Sequence, residues 1–359
     1  MDDNLAATGP TRRDLLRGAG LGGLALGAVA LGLPLLSACS SSSNGSHAST
    51  GQTTTSGAAS TPTASFDLRL GWVPDAEFSG YFAADASGAY GQHGLQVGFL
   101  PGGPTSAVEP VVTSGKALIG IDPIPENVAA ATAQGANLTI IGAQFQKSAD
   151  CWVSLAAKPI TQPSDIEGKR LGISLTGKSE ALVFMRLNGV DSSKVDLVPV
   201  QNDPAPLVAG EIDALWGLAT NQPIVLAARG VQSHTMLLAD YHFNRMQDVL
   251  MVTKDTLNDP TKKQQVRNFL LASQQGWAKV LADPSYAAQL VVGKYGKNLG
   301  LTAVSQENTV KAMAPFIMPS GVATSGILTM SDALITQTIA TLNSMGVKAD
   351  KSLFTTDLL

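Results

Sequence analysis

Trp72, Pro74, Asp75, Glu77, Phe78 and Tyr81 crowd into one short run of the chain. Rings of this kind stack on a flat heterocycle or hold a cation against a π face. The carboxylates beside them accept hydrogen bonds from ring N–H or amino groups. The chain has four Trp, five Tyr and ten Phe, and Trp72, Phe78, Tyr81, Phe82 and Tyr90 all fall between positions 72 and 90. Core packing beneath a helix accounts for Phe82 and Tyr90. Trp72 and Phe78 flank the Pro-Asp turn and are assigned to a ligand-facing loop. Further candidates follow later strands: Gly103, Thr105 and Asp122 in one run, then Thr176, Gly177, Ser179, Asp203, Trp216 and Asn221 in a second.

Other chemistries find little support. The two cysteines, Cys39 and Cys151, form no C-x-x-C pair, and the four histidines, His47, His93, His234 and His242, show no helical pairing. The residues therefore argue for no metal, no cofactor and no zinc hydrolase. The turn T-G-K-S at 176–179 lacks the upstream glycine of a P-loop, although its donors offer a site to a small anion. A net charge of −4 and the absence of a basic stripe argue against nucleic acid.

The elements that must position these residues alternate. A strand near 68–72 leads through the aromatic loop into a helix over 79–92, and Gly94 follows it. Strands are expected at 96–100, 118–121 and 138–144, separated by helices, with Ser106 and Glu109 spaced as a capping box. A second run repeats the alternation, with strands at 170–173, 195–200, 214–218 and 234–238. This βαβ pattern implies α/β lobes with parallel sheets, and loops at the carboxyl ends of their strands are where ligands bind. The two runs echo each other: L-R-L-G-W at 68–72 answers K-R-L-G-I at 169–173, and V-T-S-G-K-A-L-I-G at 112–120 answers L-V-A-G-E-I-D-A-L at 207–215. Asp259-Pro260 and Asp283-Pro284 open helices in a helical tail assigned to the first lobe.

The amino-terminal region reads as an address. Arg12 and Arg13 precede an uncharged run over 18–36, in the manner of a twin-arginine export signal. L-S-A-C ends that run, with Cys39 as the residue to be acylated. Residues 40–65 are rich in Ser, Thr, Gly and Ala, a flexible tether reaching about 25–30 Å. The expectation is an export signal over 1–38, a tether over 39–65, and a globular part outside the cytoplasm, held to the cell membrane by a lipid.

The run W-V-P-D-A-E-F-S-G-Y-F-A-A, with P-G-G-P, V-V-T-S-G-K-A-L-I-G-I-D and G-E-I-D-A, resembles the substrate-binding proteins of ABC importers. The branch is the one that binds thiamine pyrimidine precursors, riboflavin, nitrate, alkanesulfonates and taurine. The resemblance covers roughly 67–257. It implies a two-lobed periplasmic-binding-protein fold of type II, with two crossover strands near 151–156 and 248–253. Lobe one would comprise 66–152 and 250–359, and lobe two 153–249. It also implies a monomer that captures a small solute in the cleft and passes it to a permease. Pyrimidine-binding members carry W-x-P-N-x-x-H; Trp72 and Pro74 match, while Asp75 replaces the Asn and Phe78 the His. The E-F-S-G-Y-F-A-A variant and the P-G-G-P turn look closer to flavin-type members. Fungal pyrimidine synthases of the same fold use that His and a C-C-C-x-C loop, and this chain has neither, so the resemblance implies a binder rather than an enzyme.

Overall fold

The computed structural model describes residues 64–174, 177–201 and 203–359. The export signal, Cys39 and residues 39–63 of the expected tether lie outside the described residues, as does Thr176, while Ala64 and Ser65, expected at the tether's end, already belong to the first strand. Two five-stranded sheets organise the rest. The first contains β1 (Ala64–Arg69), β2 (Leu95–Leu100), β3 (Ile119–Asp122), β4 (Leu138–Phe145) and β10 (Gln247–Thr253), in the order β2-β1-β3-β10-β4. The second contains β5 (Asp150–Leu155), β6 (Arg170–Ile173), β7 (Asp196–Pro199), β8 (Ala214–Leu218) and β9 (Ser233–Leu237), in the order β7-β6-β8-β5-β9.

The two orders are one topology. In each sheet a strand arriving from the other half slots between the third and fourth strands and runs antiparallel to both. The sheets are therefore mixed, where βαβ alternation alone implies purely parallel ones. The antiparallel strand is a consequence of the chain crossing between halves, which periodicity does not register. Strands β5 and β10 fall where the crossovers were expected. Each lies wholly in one sheet, and the crossings themselves are the segments 146–149 and 238–246. Hydrogen bonds stitch them together: Ser148 N donates to Asn244 Oδ1 (3.0 Å) and Ala149 N to Gln247 Oε1 (2.8 Å). The sequence echo falls on equivalent strands, β1 with β6 and β3 with β8.

Every residue of β4 is buried, as befits a strand covered on both faces. Helix Ser79–Ala86 packs against the long helix Pro260–Ala282 on the first sheet's side. Asp259 caps the latter, accepting from Thr261 N and Lys262 N. The single helix expected over 79–92 is interrupted: Gly88, with φ 77°, ends the first piece and a short one follows at Ala89–Gln92. The Ser106–Glu109 capping box does not form, because helix Glu109–Thr113 starts after Val108 without a side-chain cap. Among the described residues no helix is long and apolar enough to cross a membrane.

Candidate binding site

The chain leaves β1 through Trp72 and turns at Asp75, whose Oδ1 accepts from Glu77 N at 2.9 Å and starts the short turn Ala76–Phe78. At the end of β3 stands Asp122. Its register places it opposite Val249 on β10, so Asp248 is its near neighbour across the ladder. Ala143 of β4 pairs with the same Val249 from the other side, which brings Gln144 in. Gln144 Nε2 donates to Asp248 Oδ2 (2.9 Å) and to the Glu77 carbonyl (2.8 Å). Four carboxyl groups thus converge from two strand ends and one turn, with the Gln144 amide from a third strand.

Burial sets their electrostatics. Burial is the largest influence on Asp75, whose pKa is pushed up to about 6 against two backbone hydrogen bonds. Asp122 is pushed up to about 7 by burial and then by Glu109, against hydrogen bonds from Ile124 N and the Asn127 amide. Glu77 and Asp248 are raised well above the carboxylate range by burial and by the neighbouring acids. No Lys or Arg figures among the groups acting on these four. Asp248 also holds φ at +50°, an uncommon backbone state for a residue other than glycine, and its N–H donates to the Pro123 carbonyl.

The remaining expected residues divide. Trp72 is 39 % exposed at the end of β1, and its carbonyl accepts from Gly102 N in the P-G-G-P turn. Gly103 is half-buried beside it and Thr105 is exposed. Phe78 and Tyr81 are core residues, correcting the assignment of Phe78 to the ligand-facing loop and of Tyr81 to the candidate contacts. The 3-10 turn capped by Asp75 rotates Phe78 inward, and Tyr81 stacks on Phe269 with centroids 6.0 Å apart. In the second half, Gly177 precedes helix Lys178–Leu187, with Ser179 exposed in its first turn. Asp203 is exposed and structural, accepting from Ala205 N and pairing with Arg229 at 3.2 Å. Asn221 is exposed at the start of helix Gln222–Ala228. Trp216 lies edge-on to Trp152 (5.2 Å) and Phe243 (6.1 Å), part of the packing on one face of the sheet. These second-half residues do not join the acid cluster.

A second charged group occupies the crossing itself. Arg245, fully buried, reaches Glu126 with Nη1 (2.8 Å) and both Asp150 (3.2 Å) and Glu180 (3.4 Å) with Nη2. Glu126 belongs to the helix after β3, Asp150 to β5 and Glu180 to the helix after β6. One guanidinium therefore joins both halves. Burial dominates at Glu126, taking its pKa to about 7 despite Arg245. Asp248, Gln144, Arg245 and its partners escaped the reading of the sequence. The available signal was the polar run N-R-M-Q-D at 244–248, set just ahead of an apolar strand. Cys151 is fully buried, its Sγ donates weakly to the Gly217 carbonyl (3.4 Å), and burial raises its pKa well above the thiol range. No group of His, Cys, Asp and Glu suited to a metal ion occurs among the described residues.

A family model described as NMT1/THI5 like matches residues 75–287. The riboflavin-binding protein RibY of Chloroflexus aurantiacus is 26 % identical over 239 residues, covering 62 % of this chain; the chain spans 64 % of that protein's length. Among solved structures, the chain is similar to a putative sulfonate ABC transporter protein, the periplasmic sulfonate-binding protein SsuA from Methylobacillus flagellatus, with TM-score 0.59 and 14 % identity over 83 % of this chain and 93 % of that one. It is also similar to the desulfurization enzyme DSZB, with TM-score 0.52 and 13 % identity over 82 % and 97 %. At these identities the structural likenesses establish the periplasmic-binding-protein fold, which binders and an enzyme share.

Proposed function

Because the chain belongs to the NMT1/THI5-like family, we propose that it is the extracytoplasmic solute-binding protein of an ABC importer, anchored through a lipid on Cys39. It captures a small, flat, nitrogen-containing solute between its halves and delivers it to a permease. The solute is riboflavin-like or a thiamine pyrimidine precursor. The observation that carries this reading is the acid cluster beside the half-exposed Trp72, at the carboxyl ends of β1 and β3. Ligands of open α/β sheets bind at such ends. A ring on Trp72 and donors on the carboxyl groups suit a heterocycle bearing N–H or amino groups. A nitrate or sulfonate needs Arg, Lys or bare N–H groups, and the four acids oppose it. The lobes of this fold close on solute by hinge motion, and 146–149 with 238–246 are the segments suited to bend.

Catalysis is disfavoured by Cys151. A buried thiol with a raised pKa and a carbonyl partner is not an activated nucleophile. The test is a melting scan of the purified mature protein against riboflavin, 4-amino-5-hydroxymethyl-2-methylpyrimidine, nitrate, taurine and an alkanesulfonate. Binding stabilises by about 2.7 kcal/mol at one hundred times Kd. A shift with a heterocycle that disappears in Trp72→Ala supports the reading. A shift with the anions alone overturns it.

A further inference from the structure

We infer that the acid cluster of Asp75, Glu77, Asp122 and Asp248, with Gln144 beside it, takes a positively charged, donor-rich nitrogen group of the solute. This rests on the solute-binding reading and specifies the charge of the end that enters first. The argument begins with supply and demand for hydrogen bonds. Asp75 Oδ1 is committed to Glu77 N, and Asp122 Oδ1 to Ile124 N and Asn127 Nδ2. Asp248 Oδ2 receives Gln144 Nε2. The Glu77 and Asp248 carboxyl groups also hydrogen-bond each other, as do those of Asp122 and Glu109, and the oxygens outside these bonds remain for an incoming donor.

Gln144 supplies an independent sign. It is completely buried, its Nε2 is fixed by Asp248 and Glu77, and its Oε1 has no hydrogen-bond partner. A buried acceptor without a donor keeps its desolvation cost uncompensated, a deficit that a ligand N–H removes. Orphaned acceptor and acids thus ask for the same thing, a hydrogen-bond donor.

Charge follows from the surroundings. Glu109 acts on Asp122 from the helix after β2, and the buried Tyr81 hydroxyl near Glu77 and Asp248 lies against Trp277. Arg69 donates to the Pro101 and Ser106 carbonyls instead. The Arg245 guanidinium is engaged by three other carboxylates. A cationic guest would supply the missing positive charge, with the Trp72 face available to its flat body.

The test is calorimetric titration at pH 7.5 with matched flat probes: benzamidine, its neutral counterpart benzamide, and benzenesulfonate. Charge-assisted hydrogen bonds make the expected preference for benzamidine over benzamide about tenfold or more, with benzenesulfonate weakest. Asp248→Asn, which suits the left-handed backbone state, should reduce that preference to less than about threefold. Should that variant not show a cooperative melt, Asp122→Asn takes its place. Equal binding of benzamidine and benzamide, tightest binding of benzenesulfonate, or an undiminished preference in the variant overturns the inference. Riboflavin binding without a preference for the cation rejects the charge assignment and leaves the solute-binding reading standing. Failure of every probe and every heterocycle rejects both.

Discussion

Arg245 Nη1 stands 2.8 Å from Glu126 Oε1, and Nη2 of the same guanidinium stands 3.2 Å from Asp150, so one side chain in the crossing holds both halves of the molecule. Removing the cation would strand two buried acids and the half-buried Glu180. Arg245→Met is expected to lower stability by about 3–5 kcal/mol. Glu126→Gln should cost much less, because Asp150 and Glu180 still pair with Arg245 and burial already favours neutral Glu126. Urea unfolding of the two variants checks this order, and equal losses would contradict it.

Stability should fall as pH rises through neutrality. Asp75, Asp122 and Glu126 carry folded pKa values of about 6, 7 and 7, with Glu77 and Asp248 also raised. A carboxyl raised on folding keeps a proton that the unfolded chain releases near pH 4, so its contribution is full below that point and is lost as pH climbs through the folded value. The window is pH 4 to 7, and the urea midpoint should be higher at pH 5 than at pH 8. Asp122→Asn should flatten this slope. A midpoint that rises between pH 5 and pH 8 would contradict the account.

Trp72→Ala should leave the fold almost untouched, since the ring is 39 % exposed. Its melting temperature without ligand is expected within about 0.5 kcal/mol of the parent in free-energy terms. The shift produced by ligand should largely vanish. Retention of the whole shift would place the solute elsewhere.

The crossing of helix Ser79–Ala86 with helix Pro260–Ala282 depends on bare backbone. A Cβ at Gly276 would lie 2.0 Å from the Gly80 carbonyl oxygen and 2.6 Å from Ala84 N. Neither neighbour is a flexible side chain, so the helices must part. Gly276→Ala should destabilise by about 1–3 kcal/mol, overriding the better helix propensity of Ala. Unfolding of that single variant in urea checks it; a gain in stability would show that the helices separate freely.

The places of Trp72, Asp75 and Asp122 after strands and in a turn were legible in the sequence because strand ends and turn residues announce themselves locally. The same holds for the shared topology, visible in the echo of 68–72 with 169–173. Phe78 and Tyr81 misled because an aromatic residue at the start of a helix has the same local signature whether it faces solvent or core; the rotation of the Asp75-capped turn decides. Gln144, Arg245 and Asp248 were illegible for a different reason. Each acquires its meaning from a strand or crossing that returns from the far half of the chain, and no local period encodes that meeting. Trp216 looked like a free ring, yet its place within β8 sends it to the sheet face against Trp152.

The claim that the acid cluster holds a solute is tested most directly by mass spectrometry of small molecules released when freshly purified protein is denatured, comparing wild type with Asp75→Asn/Asp248→Asn. Wild type is expected to yield one nitrogen-containing molecule at near one per chain, depleted in the double variant. Identical small-molecule profiles from the two proteins would contradict it.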